Sequence, residues 1–298
     1  MSNQATGMLV GLAVGDAVGT TLEFQPRGSF QPIIDMVGAG PFNLQPGQWT
    51  DDTSMALCLA QSLIHQKDFD PTDQMNRYCN WYQRGYMSVT GECFDIGMTV
   101  RSALERFLDD QNPYAGSSDP YSAGNGSIMR LAPIVLAYHD HKNLLTYARD
   151  SSRTTHGAEE AVEACAAFAS MLRNAMQGKD KLAVITAHHE VSSAAKIAAI
   201  QTGEFLEKSD YEIRGNGYVV DSLEAALWCF YHTHSFRSAI LRAANLGDDA
   251  DTTAAICGQI AGAYYGYDGI PQEWLEKLYW RQEIVEMAES ISASNYKS

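Results

Sequence analysis

Apolar residues recur along this chain with the period of a helix rather than of a strand. Over residues 53–65, Met55, Leu59 and Leu63 fall four apart, with Leu57 and Ile64 beside that stripe. Over 158–176, an alanine-rich run places Val162, Cys165, Ala169 and Leu172 on one face. This spacing marks an amphipathic helix. The segments 96–107, 128–137, 182–206, 222–232, 236–246 and 273–290 also read as helices. Alternating runs that would mark strands are scarce. The pattern predicts an all-α fold, a compact multi-helix single domain over residues 1–298. Three stretches, 24–49, 109–126 and 207–219, lack the period. Loops longer than about 12–15 residues are usually functional or disordered, and each of these ends at residues able to carry chemistry.

Two further apolar segments carry glycine every fourth residue: Gly11, Gly15 and Gly19, then Gly258, Gly262 and Gly266. Each glycine costs about 1 kcal/mol against alanine inside a helix. Their repetition at one spacing implies a smooth face where another backbone approaches closely. Both segments are therefore expected in the core.

Composition narrows the function. A net charge of -15 repels a phosphate backbone, which argues against a nucleic-acid partner. It leaves room for a phosphate-bearing small ligand, because a bound cation inverts the local field. None of the six cysteines (Cys58, Cys79, Cys93, Cys165, Cys229, Cys257) forms a C-x-x-C pair, which argues against zinc. The apolar run from Met8 to Val14 is short of the ~20 residues needed to cross a bilayer. A reduced, cytoplasmic protein without a membrane partner is expected, and a monomer.

The chemistry concentrates in two acidic groups far apart in sequence. One is Trp49-Thr50-Asp51-Asp52-Thr53-Ser54; the other is Gly247-Asp248-Asp249-Ala250-Asp251-Thr252-Thr253. Each stands immediately before an apolar helix. Capping accounts for one or two acids at such a place, since side-chain oxygens and negative charge are favoured there. It does not account for three aspartates within four residues. Hard oxygen donors without Cys or His beside them suit Mg²⁺ or Mn²⁺. Asp51, Asp52, Asp249 and Asp251 bring four negative charges, which two divalent cations would neutralise, with Thr50 and Thr252 adding hydroxyl oxygens.

At these residues the sequence resembles the ADP-ribosylglycohydrolase family along nearly its whole length. The matching pieces are Gly11-Leu12-Ala13-Val14-Gly15-Asp16-Ala17-Val18-Gly19 with Glu23, Trp49-Thr50-Asp51-Asp52-Thr53, Asp95-Ile96-Gly97, Gly124 to Arg130, Thr155-His156-Gly157, Gly217 to Asp221, and Gly247 to Thr252. The resemblance implies an all-α fold with a two-metal cleft. It implies Thr50, Asp51, Asp52, Asp249, Asp251 and Thr252 as ligands, and hydrolysis of the bond from ribose C1″ to an acceptor atom.

Within that frame, Glu23 is either a proton-transfer group, a gate over the ribose, or a surface carboxylate. Asp95, just before the expected helix 96–107, either caps it or pairs with a guanidinium, and arginine is the favoured acceptor. Gly124, Asn125, Gly126 and Ser127 are expected to offer N–H groups to a diphosphate. His156 is taken as a ligand contact or a support for the metal loops, Tyr218 as a base-stacking or ribose-closing group. Asp16 and Asp248 are read as supporting or capping groups, not ligands. The expected partner is a protein carrying ADP-ribose. ADP-ribosyl-serine or O-acetyl-ADP-ribose hydrolysis, and an inactive binding or structural role, are the competing readings.

Overall fold

The helical period seen in the sequence is realised throughout. The structure, a computed structural model, describes residues 3–294 and Tyr296. In chain order the helices are α1 (Asn3–Gly19), α2 (Asp51–Gln66), α3 (Pro71–Arg84), α4 (Met98–Asp110), α5 (Ala132–Tyr138), α6 (Leu144–Arg153), α7 (Glu159–Met176), α8 (Lys181–Thr186), α9 (Ala195–Thr202), α10 (Val219–Tyr231), α11 (Phe236–Ala244), α12 (Ala250–Tyr265), α13 (Gln272–Lys277) and α14 (Arg281–Ala293). Among the described residues, extended pairing is limited to three isolated bridges. Nearly all of the buried apolar residues form one continuous cluster.

The centre of that cluster is the contact of α1 with α12, and glycine makes it. A Cβ built on Gly7, Gly11, Gly15 or Gly19 would lie 2.1–2.4 Å from a backbone oxygen of Gly262, Gly258, Ala254 or Ala250, respectively. No real side chain tolerates such a distance, so the two backbones touch along four turns. Gly7 extends the expected ladder by one turn. Gly266, at the end of α12 with φ +76° and Asn3 against it, also meets α1, its carbonyl carbon 2.6 Å from a Cβ built on Gly7. The stretch Asn3–Leu22 is long and apolar enough to cross a membrane by length and composition, a longer run than Met8–Val14 alone suggests. Here nearly all of it is buried inside the protein, against α12, α14, α11 and α2.

Three expected helices are interrupted. The run 182–206 splits into α8 and α9 because side chains satisfy the backbone between them. Asn174 Nδ2 donates to Val184 O and Ala187 O, at 3.2 and 2.7 Å. Gln201 Oε1 accepts from Ser192 N at 2.8 Å, and its Nε2 donates to Glu190 O at 3.1 Å. The run 273–290 breaks at Leu278–Trp280, where Trp280 is left-handed (φ +56°) and packs edge-on against Trp49 at 5.4 Å. The run 128–137 opens as a 3₁₀ turn, Ile128–Arg130, before α5. All six cysteines are free, and five are buried.

Candidate active site

α2 and α12 begin side by side, which brings the two acidic groups together. The N-cap residues of these helices, Thr50 and Asp249, make no side-chain cap hydrogen bond, and of the acids only Asp251 bonds its own first turn, its Oδ1 accepting from Thr252 N at 2.7 Å. The cap of α2 comes instead from α1. Asp16 accepts from Thr50 N and Thr53 N at 3.0 Å, from Thr50 Oγ1 at 2.9 Å and from Thr53 Oγ1 at 2.6 Å. The expectation of a supporting role for Asp16 is met. The signal for it was an acid inside an otherwise apolar, glycine-laddered helix.

Around this cap the carboxylates converge. Oxygens of Asp16, Asp52 and Asp251 lie within 4.8 Å of one another; so do those of Glu23, Asp249 and Asp251, and those of Asp51, Asp95 and Asp251. Asp251 belongs to all three groups. Thr50 Oγ1 faces three carboxylates: Asp16 at 2.9 Å, Asp251 at 3.2 Å and Asp52 at 3.3 Å. A hydroxyl has one proton to donate, so two of those contacts are repulsive unless a cation or another proton lies among them. Thr252 Oγ1 approaches Asp52 Oδ2 at 3.3 Å. Asp52 Oδ1 and Glu23 Oε2 are buried and without a hydrogen bond. Orphaned anionic oxygens of this kind, with only hard donors around them, fit divalent cations of the Mg²⁺ or Mn²⁺ type.

Burial sets the electrostatics. It pushes Asp251 up to about 8, with Asp249 adding to the shift, and Asp95 up to about 10, with Asp251 and Asp52 adding. Asp51 and Asp52 are raised well above the carboxylate range by burial and then by their acidic neighbours. Glu23 is raised by burial, Asp251 and Asp95. Asp16 stops at about 6, because the hydrogen bonds from Thr53 and Thr50 oppose its burial.

These directions fix a pH dependence. Unfolded carboxyls titrate near 4, so between there and about 8–10 the cation-free fold holds protons that the unfolded chain has released. Stability therefore falls as pH rises through that window. Chelated protein is expected to melt at a higher temperature at about pH 6 than at about pH 8.5. Added Mn²⁺ should raise the melting point more at the higher pH, where it displaces fewer protons. Melting curves that rise with pH in chelator would contradict the buried-acid cluster.

The cluster floors a cleft of about 740 Å³ lined by Glu23, Phe24, Asp51, Asp95, Met98, Val100, Gly124, Asn125, Gly126, His156, Gly217, Asp249 and Asp251, among others. Asp95 does not cap α4. The helix starts at Met98 with Gly97 as its N-cap, and Asp95, in a left-handed conformation (φ +61°), reaches the acids instead. Asn125 Nδ2 donates to Asp249 Oδ2 at 2.8 Å and to Ser222 Oγ at 3.2 Å, so its amide orients the Asp249 carboxylate rather than standing free.

The glycine loop is partly spent. Gly124 N donates to Ser122 O and Asn125 N to Gly217 O. Ser127 turns inward, its Oγ 2.8 Å from Ser152 Oγ, and is absent from the cleft wall. His156 is present there. Burial and Arg130 push it down to about 3, so it is neutral. Its ring packs beneath Gly126, where a Cβ would come 2.7 Å from Cε1. Arg130, buried and easily passed over in the sequence, holds the loop by donating to Gly126 O at 2.6 Å and Thr155 Oγ1 at 2.8 Å. Tyr218 stands outside the cleft, accepting from Lys196 Nζ at 2.7 Å and donating to Glu160. Asp248 is exposed and contributes through its backbone, accepting from Phe24 N at 2.7 Å. Phe24 and Met98, 65% and 86% exposed, are cleft residues to which the sequence reading gave no role.

The family profile described as ADP-ribosylglycohydrolase matches residues 1–298. The chain belongs to the ADP-ribosylglycohydrolase family. As an ADP-ribosylglycohydrolase it is an enzyme, and its relatives bear this out. It is 47% identical over 291 residues to the ADP-ribosylarginine hydrolase Tri1 of Pseudomonas putida (strain GB-1), covering 97% of this chain and 78% of that one. It is 32% identical to the ADP-ribosyl-[dinitrogen reductase] glycohydrolase of Rhodospirillum rubrum, over 94% of this chain and 92% of that one. A solved structure of an ADP-ribosylglycohydrolase-related protein complex superimposes with a TM-score of 0.86 at 43% identity, over 98% of this chain and 97% of that one.

Proposed function

We propose that this ADP-ribosylglycohydrolase cleaves ADP-ribose from an arginine side chain of a modified protein, at a cleft holding two divalent cations. The observation that carries the acceptor is Asp95, a carboxyl held among the acids of the cleft and free of any capping duty. A carboxylate is the group that receives a guanidinium through paired hydrogen bonds. The 47% identical relative named for ADP-ribosylarginine supports the same acceptor.

Thr50, Asp51, Asp52, Asp249, Asp251 and Thr252 would hold the cations. Bound there, the cations would supply an activated water and anchor the ribose hydroxyls. The remaining steps belong to the protein. Asn125 fixes the Asp249 carboxylate. Neutral His156 and the Gly126 backbone line the cleft wall against which the rest of ADP-ribose would lie. Glu23, in its ionised form, would take a proton from the attacking water. As the bond from C1″ to the guanidine nitrogen breaks, its electron pair goes to nitrogen, which would take the proton of the Asp95 carboxyl; the proton taken up by Glu23 would then pass to Asp95 and reset the pair.

The test is release of free ADP-ribose from an ADP-ribosyl-arginine protein, with Mg²⁺ or Mn²⁺ and then with chelator. Cation-dependent release is expected. Turnover of ADP-ribosyl-serine or O-acetyl-ADP-ribose, with none on arginine, would reassign the acceptor. Full activity in chelator would remove the cations from the reading.

A further inference from the structure

Between the loops that carry Glu23 and Asp95 lies a small hairpin, residues 39–44. Ala39 N donates to Leu44 O at 2.7 Å and Leu44 N to Ala39 O at 3.0 Å. Its base is pinned to the 3₁₀ turn Thr20–Leu22 that leads into Glu23. Thr21 Oγ1 donates to Gly38 O at 2.7 Å, and a Cβ on Gly40 would meet Thr20 O at 2.2 Å. Gly38, Ala39, Gly40 and Asn43 are all left-handed, with φ of +72°, +63°, +69° and +52°. Such backbone is costly for alanine and persists where its surroundings over-determine it, often at functional sites.

The tip of this hairpin presents Phe42. Its ring centroid lies 6.3 Å from that of Phe24, at 72°, and 5.2 Å from that of Phe94, at 57°. Both pairs fall within the range of favourable aromatic contact. Phe24 directly follows Glu23, and Phe94 directly precedes Asp95. Each loop also turns through a left-handed residue at that point, Phe24 itself (φ +61°) and Asp95 itself (φ +61°). The three rings therefore join the two segments that carry these carboxyls, on the rim of the cleft.

We propose that Phe42 is a positioning residue, a brace that fixes the Glu23 segment against the Asp95 segment so that both carboxyls address the same reacting bond. This rests on the roles given to Glu23 and Asp95 above. One arm of the test does not depend on them. In Phe42→Ala, amide hydrogen exchange should quicken in two places together. One is Glu23–Gln25, whose N–H groups are bonded to Thr20, Asp248 and Leu22; the other is the first turn of α4, where Arg101 N is bonded to Gly97 O. The α1 and α12 amides should be unchanged. Faster exchange confined to the hairpin itself would overturn the brace.

The second arm is kinetic. Phe42→Ala should lower kcat by about 10- to 100-fold, as small misplacements of catalytic groups do, with KM altered little. Phe42→Tyr, which keeps the ring, should restore it. In a Glu23→Gln background, Phe42→Ala should cost almost nothing more, whereas a general loss of stability would add its full effect. Additive losses would overturn the proposal. If Phe42→Ala does not fold, Phe42→Leu removes the ring and keeps the apolar bulk, and the same readings apply. Wild-type protein inactive on every ADP-ribosyl substrate would sink the assigned function, and the exchange arm would then decide the brace alone.

Discussion

Asp251→Asn should lower kcat/KM by at least about 100-fold, the upper range for losing even an outer partner of a metal site, while making cation-free protein more stable. Asp251 is the one carboxylate common to all three acidic groupings, so its loss weakens every arrangement able to hold a cation. Asparagine keeps Oδ1 as the acceptor for Thr252 N, now at 2.7 Å, so the start of α12 is retained. What disappears is one buried negative charge among Asp16, Asp52, Asp249 and Glu23. Isothermal titration with Mn²⁺, ADP-ribose release and melting in chelator at about pH 8.5 read the three effects. Wild-type cation binding in this variant would sink the site. The opposite signs matter: a variant that merely misfolds loses activity and stability together.

Gly15→Ala should destabilise the fold by about 2–3 kcal/mol, although alanine is the better helix former. The propensity gain is about 1 kcal/mol. Against it, the added methyl would sit 2.1 Å from Ala254 O and 2.6 Å from Ala254 C. These are backbone atoms inside a helix and cannot swing aside, so α1 and α12 must separate. Overpacking of a tight core costs about 1–3 kcal/mol and sometimes more, and the ladder places this contact at the upper end. Melting temperature should fall by roughly 5–10 °C. Activity should fall too, because α1 carries Asp16 and leads to Glu23 while α12 carries Asp251. Gly97→Ala is the control for stability, since a Cβ there meets nothing within 4 Å. Equal melting points for the two variants would refute the close helix contact.

Much of this was legible in the chain. The 3.6-residue period marked the helical class, and glycines four apart marked two core helices each closely approached by another backbone; that they clasp each other is shown by the structure. The acidic groups were legible because too many like charges stand together for capping alone to explain. What escaped was decided by tertiary partners. Periodicity runs straight through 182–206, yet Asn174 and Gln201 bond the backbone between α8 and α9 and take the place of helical bonds. Helices α3 and α6 were not singled out by the sequence reading. Asp95 looked like a helix cap because sequence distance cannot tell a cap from a residue two positions before one. Tyr218 was expected to stack on the base or close over the ribose, yet its hydroxyl bonds Glu160 outside the cleft, and the Ser127 side chain bonds Ser152 in the interior.

The clasp of α1 and α12 also bears on how the molecule is made. Its first helix emerges from the ribosome as a stretch apolar enough to pass for a bilayer segment. The helix that covers it begins at residue 250. At about 5–20 residues per second of synthesis, α1 spends on the order of ten seconds or more without its main partner. Contacts so distant in sequence close slowly. Of the α-helices that pack closely on α1, only α2 and α5 lie in the first half of the chain, so they are the native partners available to cover part of those turns until the far end arrives.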